Sequence, residues 1–319
     1  MRSTTAIATL SLGLIAACPV IAHAADATDA AANNTMSTAP TPVSPVVVTA
    51  EQHAPLTATF TETTVPKSEI EKLSPGPTLT IETLLNSQPS IFAYTDGPFG
   101  VRTNVYFRAF NSGQFSQTYD GIALNDVFNS AVTGGAENVN NILLQTQDID
   151  SIQVYHGVNN PSVNSYDSLG GTVNYLPKQP DEQQGGELAG SYGSFNTFQA
   201  HATFNTGDFH GLKQMATFAY GRTDGWQANT SDWNYNFYYA LTYAPVDGQT
   251  LRFFSVLNHN QGFPPDNIPL PLLQLNGFNY QFPKSVHDHA IHNTNWLGIL
   301  DYEADINPAV TFDSKLYAG

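Results

Sequence analysis

Trp233-Asn234-Tyr235-Asn236-Phe237-Tyr238-Tyr239-Ala240-Leu241-Thr242-Tyr243 is the stretch that decides the fold. Trp233, Tyr235, Phe237, Tyr239, Leu241 and Tyr243 occupy one side of a period-two pattern, and Asn234, Asn236, Tyr238, Ala240 and Thr242 the other. Period two marks an extended strand, because successive side chains leave opposite faces. One face is aromatic and aliphatic; the other carries amides. A run of about ten such residues matches a strand that crosses a bilayer at a tilt.

The pattern recurs. Phe198, Ala200, Ala202 and Phe204 alternate with Gln199, His201, Thr203 and Asn205, and Ala216, Phe218 and Tyr220 with Thr217, Ala219 and Gly221. Val310, Phe312 and Leu316 continue it, while the runs at Arg252-Phe253-Phe254 and Trp296-Leu297 are less regular. Connections alternate in length. Ala244-Pro245-Val246-Asp247-Gly248 and Asp305-Ile306-Asn307-Pro308 are tight, but the stretch from Gln261 to His292 is long and holds Pro264, Pro265, Pro269 and Pro271. Trp226, Trp233, Tyr243, Trp296 and Tyr302 fall near expected strand ends. Together these features predict antiparallel transmembrane β-barrel strands over 181–319 rather than a soluble β-sandwich, which also alternates.

Composition agrees. Of 319 residues only 12% are charged and another 12% are aromatic, a balance poor for helices and suited to strands and turns. The net charge of -16 argues against a nucleic-acid partner, which requires basic clusters. The single cysteine, Cys18, leaves no disulfide or thiolate site for the remainder of the chain.

Residues 65–180 have a different texture, that of a compact α+β domain. Ile70, Leu73, Leu79, Ile81, Leu84 and Leu85 suggest short helices, with Thr80 a candidate cap. Val101–Arg108 and Asp150–Tyr155 read as strands, and Gly170-Gly171-Thr172-Val173-Asn174-Tyr175-Leu176 as a turn and a strand. Thr118-Tyr119-Asp120-Gly121-Ile122-Ala123 is a hairpin signal, since Asp-Gly accepts the positive φ of a tight turn.

The N-terminus reads as an export signal over 1–24: Arg2, an apolar run from Ala6 to Val20, and Ala22-His23-Ala24 before Ala25. Ile15-Ala16-Ala17-Cys18 alternatively resembles a lipobox that would lipidate Cys18. A polar tail over 25–64 follows. It holds Pro45-Val46-Val47-Val48-Thr49-Ala50, whose β-branched run suits a strand that pairs with an external edge; a chance apolar patch, or the first strand of the next domain, is the other reading.

This order of tail, valine run, α+β domain and barrel strands resembles the TonB-dependent outer-membrane receptors. Pro45, Val46, Val47, Val48, Thr49 and Ala50 resemble the TonB box. Phe107-Arg108-Ala109-Phe110 stands where the family has Arg-Gly-Phe, with Ala109 in place of glycine. Tyr119–Asp126, Ile149–Val154, Gly170–Tyr175 and Tyr192–Thr197 are similar to the Asp-Gly hairpin, a late strand, the Gly-Gly-x-x-Asn-Tyr ending of the plug domain, and the first barrel strand.

The resemblance implies a plug domain inside a barrel of about 22 strands. Roughly seven candidate strands follow Pro180, too few to enclose a plug, so an incomplete barrel is expected. It also implies a receptor that takes up a scarce ligand, most often a ferric siderophore, using TonB and its inner-membrane energising complex as partners and outer-membrane lipid as solvent. The tail before the valine run leaves no room for the signalling domain some members carry. Ligand-contact candidates are Tyr94, Asp96, Phe99, Asn111, Gln114 and Phe115. Arg108 and His156 are candidates for a latch to barrel carboxylates, His156 replacing the usual arginine. His287, His289 and His292 are weak metal-ligand candidates. No catalytic motif is present, so neither enzyme activity nor a cofactor is expected. A passive outer-membrane porin or adhesin, a soluble secreted β-protein and a non-functional receptor fragment are the alternatives.

Overall fold

Strict alternation along 232–246 becomes a long strand whose two faces meet different surroundings. In the computed structural model, which describes residues 62–73, 81–96, 102–111, 114–124, 144–157, 163, 168–263, 266–286 and 290–319, this is the middle of a seven-stranded antiparallel meander. The TonB-box candidates 45–50, Phe99, His287 and His289 lie outside the described residues.

The meander comprises β8 (Gln184–Gly193), β9 (Thr197–Thr206), β10 (Leu212–Thr223), β11 (Asp232–Val246), β12 (Gln249–Gly262), β13 (Ile291–Asn307) and β14 (Val310–Ala318), each paired with its sequence neighbours. Along β11 the amide side, with Asn234, Asn236 and Tyr238, is buried, while Phe237 and Tyr243 on the aromatic side are exposed. A soluble sheet buries its apolar face; this sheet turns it outward, as a wall facing lipid does. The connections after β9, β11 and β13 are short, whereas β10–β11 and β12–β13 are joined by longer loops. The β12–β13 loop carries helix α2 (Leu270–Asn276). Trp296 differs from expectation: it lies within β13, opposite Leu257, and donates its indole N–H to Ser255 Oγ at 2.9 Å.

The N-terminal domain is built on a five-stranded mixed sheet. Its strands are β1 (Glu62–Val65), β4 (Ser116–Tyr119), β5 (Ile122–Ala123), β6 (Ile149–Tyr155) and β7 (Thr172–Pro177), in the order β1-β6-β7-β4-β5, with β4 and β7 parallel. A separate hairpin pairs β2 (Ile91–Asp96) with β3 (Arg102–Phe107), and α1 (Lys67–Leu73) and a 3-10 helix (Ile81–Ser87) complete the described elements.

Three motifs explain the local geometry. Asp120 and Gly121 turn with φ of 51° and 78°, the positive pair of a type I′ hairpin. Gly171, at φ 135°, is so close to the Tyr155 carbonyl and the Phe107 ring that a Cβ there would collide with both. Asn174 binds the pieces together. Its Oδ1 accepts from Thr118 Oγ1 at 2.7 Å and from the Gly121 N–H at 2.9 Å, and its Nδ2 donates to Gln153 Oε1 at 2.8 Å.

Ala109 is strained. It sits at φ 68°, next to Arg108 at 51°, where an L-residue costs about 1–2 kcal/mol. Ala109→Gly should therefore raise unfolding stability by about 1 kcal/mol, while Gly171→Ala should lower it by more than that. Denaturant midpoints of the two variants check both signs, and an unchanged or lower midpoint for Ala109→Gly refutes the strain.

Candidate functional site

The irregular runs of the wall mark where the N-terminal domain packs on it. Met215, Tyr238, Ala240, Phe254, Val256, Leu297 and Ile299 point inward and belong to the same buried cluster as Val65, Leu85, Phe107, Tyr119, Ile152 and Tyr175 of the N-terminal domain. Phe254 and Leu297 break the polar lining because the domain covers them. The domain thus packs against the inner face of the wall, and the candidate site is this junction.

Its centre is polar. Asp148, fully buried, accepts at Oδ2 from the Gln145 N–H at 2.9 Å and from Asn236 Nδ2 of β11 at 2.8 Å. Tyr119 donates to the Asp148 carbonyl at 2.8 Å, and Tyr238 of β11 donates to the Lys178 carbonyl at 2.6 Å. Alongside, Gln147 Nε2 stands 3.2 Å from His201 Nδ1 of β9, and Thr242 of β11 donates to Gln179 Oε1 at 3.2 Å. Above these contacts the wall is lined with amides: Asn234 is opposite Asn260, whose Nδ2 donates to both oxygens of the buried Asp232, and Asn295 donates to Asn258. Lower down, Lys315 of β14 reaches Asp120 in the hairpin turn, 2.9 Å from its Oδ2, and donates to its carbonyl at 3.1 Å.

Among the described residues neither latch candidate reaches a carboxylate of the wall. Arg108 is exposed and lies 5.9 Å from the Phe107 ring centre; among the described residues it meets no wall carboxylate. His156 pairs inside its own domain, 3.0 Å from Thr63 Oγ1 and edge-on to Phe107. Burial, and then the Arg108 guanidinium, push its pKa below the usual imidazole value, which disfavours the charged form a latch requires. The ion pair that joins domain to wall has the opposite polarity, an aspartate on the domain and a lysine on the wall.

The ligand-contact candidates separate. Tyr94, on β2, is part-exposed and stacks on Tyr106 at 6.4 Å, with Phe92 5.6 Å away. Asp96 pairs in register with Arg102 at the end of the hairpin. Gln114 is exposed and its Oε1 accepts from the N–H of Asn111 at 3.2 Å. Phe115 is a correction: it has no exposed surface and packs against Phe107 at 5.9 Å, because the strand it opens, β4, is buried throughout. His292 is exposed on β13, and among the described residues no group of three His, Cys, Asp or Glu could hold a metal ion.

Asp148 makes the junction pH-dependent. Burial outweighs its hydrogen bonds from Gln145 and Asn236 and pushes its pKa up to about 7. An acid whose folded pKa is raised contributes stability in full below its unfolded pKa of about 4, and loses it as pH rises through 7. Unfolding stability in detergent should thus fall between pH 4 and 7, with a slope approaching about 1.4 kcal/mol per pH unit from this group. Asp148→Asn should flatten that part of the profile; an identical profile in the variant would assign the slope elsewhere.

Comparison with known proteins fits this geometry. Residues 55–172 match the family model described as the TonB-dependent Receptor Plug Domain. Among solved structures, the ferric citrate transporter FecA in its unliganded form is similar at 15% identity and TM-score 0.62, over 81% of this chain and 39% of that one. The ferric-catecholate import receptor Fiu from Escherichia coli K12, in its open form, is similar at 17% identity and TM-score 0.61, over 82% and 38%. The ferripyoverdine receptor of the outer membrane of Pseudomonas aeruginosa is similar at 16% identity and TM-score 0.61, over 82% and 34%. At these identities the likeness is one of fold, and the chain spans well under half the length of each. No curated protein sequence matches the chain.

Proposed function

We propose that the chain, whose residues 55–172 match the TonB-dependent Receptor Plug Domain, acts in active uptake of a scarce ligand across the outer membrane of a Gram-negative bacterium. The observation that carries this reading is the shared core, in which the N-terminal domain covers the inner face of the wall. A domain packed in this way needs work to move. Val46–Thr49 would add as a strand to TonB, whose inner-membrane complex supplies that work. The tail leads into β1, an edge strand held to β6 by four paired residues, so a pull along it would reach the plug sheet at its edge.

The ligand is taken to be a ferric siderophore. FecA, Fiu and the ferripyoverdine receptor are named for ferric complexes, and the exposed hairpin with Phe92, Tyr94 and Tyr106 offers rings to a chelate. Asn111 and Gln114 are further contact candidates, with Phe115 supporting the hairpin from the core, and Asp96 and Phe99 are proposed on sequence alone. Residues 1–24 act as the export signal.

Val47→Pro tests the coupling, because proline removes the N–H and the strand geometry that edge pairing uses. Cells relying on this receptor should lose iron-complex uptake while still binding the complex at the surface. Unchanged uptake would mean passive passage; loss of binding as well would mean the substitution damaged the fold.

A further inference from the structure

The outer face of the wall carries its cations at one end. In register across β9 to β13, Phe198, Arg222, Trp233, Gln261 and His292 form a row beside the long loops, and Ala200, Tyr220, Tyr235, His259 and Thr294 form the next. Lys284 stands just above them, donating to Ser231 Oγ at 3.1 Å and lying 3.8 Å from the Phe263 ring centre. Neither row holds an aspartate or a glutamate, in a chain of net charge -16. The other cations of the wall differ. Lys213, Arg252 and Lys315 belong to the end with the short turns and are paired with Glu182, Asp301 and Asp120. Arg222 and Lys284 are exposed, and among the described residues neither has a carboxylate partner. Asp224, the acid nearest to Arg222 in sequence, makes no ion pair with it.

Strand length sets the level of these rows. From Leu212 to Arg222, β10 rises about 33 Å at about 3.3 Å per residue, and a tilt of about 40° reduces this to about 25 Å, the height of the apolar band of an outer-membrane wall. At the turn end the band closes on Tyr243, Leu251 and Tyr302, a register row without lysine or arginine. The rows with Arg222 and His259 therefore lie at headgroup height on the opposite side, where a cation on a lipid-facing strand is tolerated because polar headgroups solvate it. Rings fix the surface there. Trp233 and Tyr235 stack at 6.1 Å, and His259 lies 5.0 and 5.1 Å from them with its Nδ1 2.7 Å from Thr294 Oγ1. Arg222 and His292 are three strands apart, about 14 Å, farther than one phosphate reaches. We propose that this end of the outer face binds a lipid with two phosphate groups, in the leaflet on the side of the long loops. The Arg222 guanidinium forks onto one phosphate, Lys284 and His292 donate to the other, and the acyl chains lie along Phe218, Phe237 and Leu257 in the row below. The site rests on the reading of the wall as lipid-facing and is independent of transport.

The test adds diphosphorylated lipid A to the full chain in neutral detergent micelles and counts retained lipid by native mass spectrometry, with phosphatidylcholine as comparison. Lipid A should stay bound while phosphatidylcholine is stripped. Arg222→Gln should weaken retention about tenfold, and Lys284→Gln, the second variant, should weaken it in the same direction. Lys213→Gln, a cation lost from the inner face, should leave it unchanged. Excess inorganic phosphate should not compete, since it has no chains to lay on the wall. Equal retention of phosphatidylcholine would overturn the proposal, as would unchanged retention in both Arg222→Gln and Lys284→Gln, or displacement by inorganic phosphate. Insertion of the full chain into phosphatidylcholine vesicles separates the two readings. If it inserts and shows no preference for lipid A, the lipid site alone falls; if it does not insert, the lipid-facing wall falls and the site with it.

Discussion

The inward apolar patch of Met215, Tyr238, Ala240, Phe254, Val256, Leu297 and Ile299 is the constraint on which the rest depends. It is on the wrong side of a wall whose outer face is already apolar, and nothing within the sheet can cover it. Burial of each large member is worth about 1.5–3 kcal/mol, whereas a partly exposed ion pair such as Asp120–Lys315 is worth about 0.2–1 kcal/mol. Adhesion of plug to wall is therefore mainly hydrophobic. The polar contacts from Asp148 to Asn236 and from Gln147 to His201 fix its register rather than its strength.

That division of labour explains how much the sequence could tell. The faces of β9, β10 and β11 were legible because alternation is a local property, and each side chain's face follows from its parity. The Asp-Gly hairpin and the glycine before β7 were legible because positive φ restricts the residue that fits. The irregular runs in β12 and β13 concealed information: Phe254 and Leu297 look like noise in a lipid-facing pattern, and make sense only once a second body occupies the inner side.

The junction itself was not legible. Asp148, Asn236, Gln147 and Lys315 are ordinary polar residues in sequence, and their pairing depends on packing between elements that in one case lie 195 residues apart. Arg108 and His156 suit the role in sequence, being charged or chargeable in a motif position. Among the described residues the ion pair to the wall comes from Asp120, whose place in a tight turn had already accounted for it. One residue serves both turn geometry and ion pairing, and the first role masks the second. Phe115 misleads in the reverse direction, since an aromatic beside a loop reads as a contact surface although β4 is sealed on both sides.

The connectivity of the two sheets has a kinetic consequence. Every pairing in the meander joins sequence neighbours, so it can zip hairpin by hairpin with little loop entropy lost at each step. The plug sheet cannot. Its β1–β6 pairing joins Thr63 to Val154, and its parallel β4–β7 pairing joins Ser116 to Thr172. Long closures of this kind are slow, and while they are pending both the inward patch of the wall and the unpaired plug strands are open to other chains. The part synthesised first is thus the part whose ordering lags, and the interval between is when this protein is most exposed to misassembly.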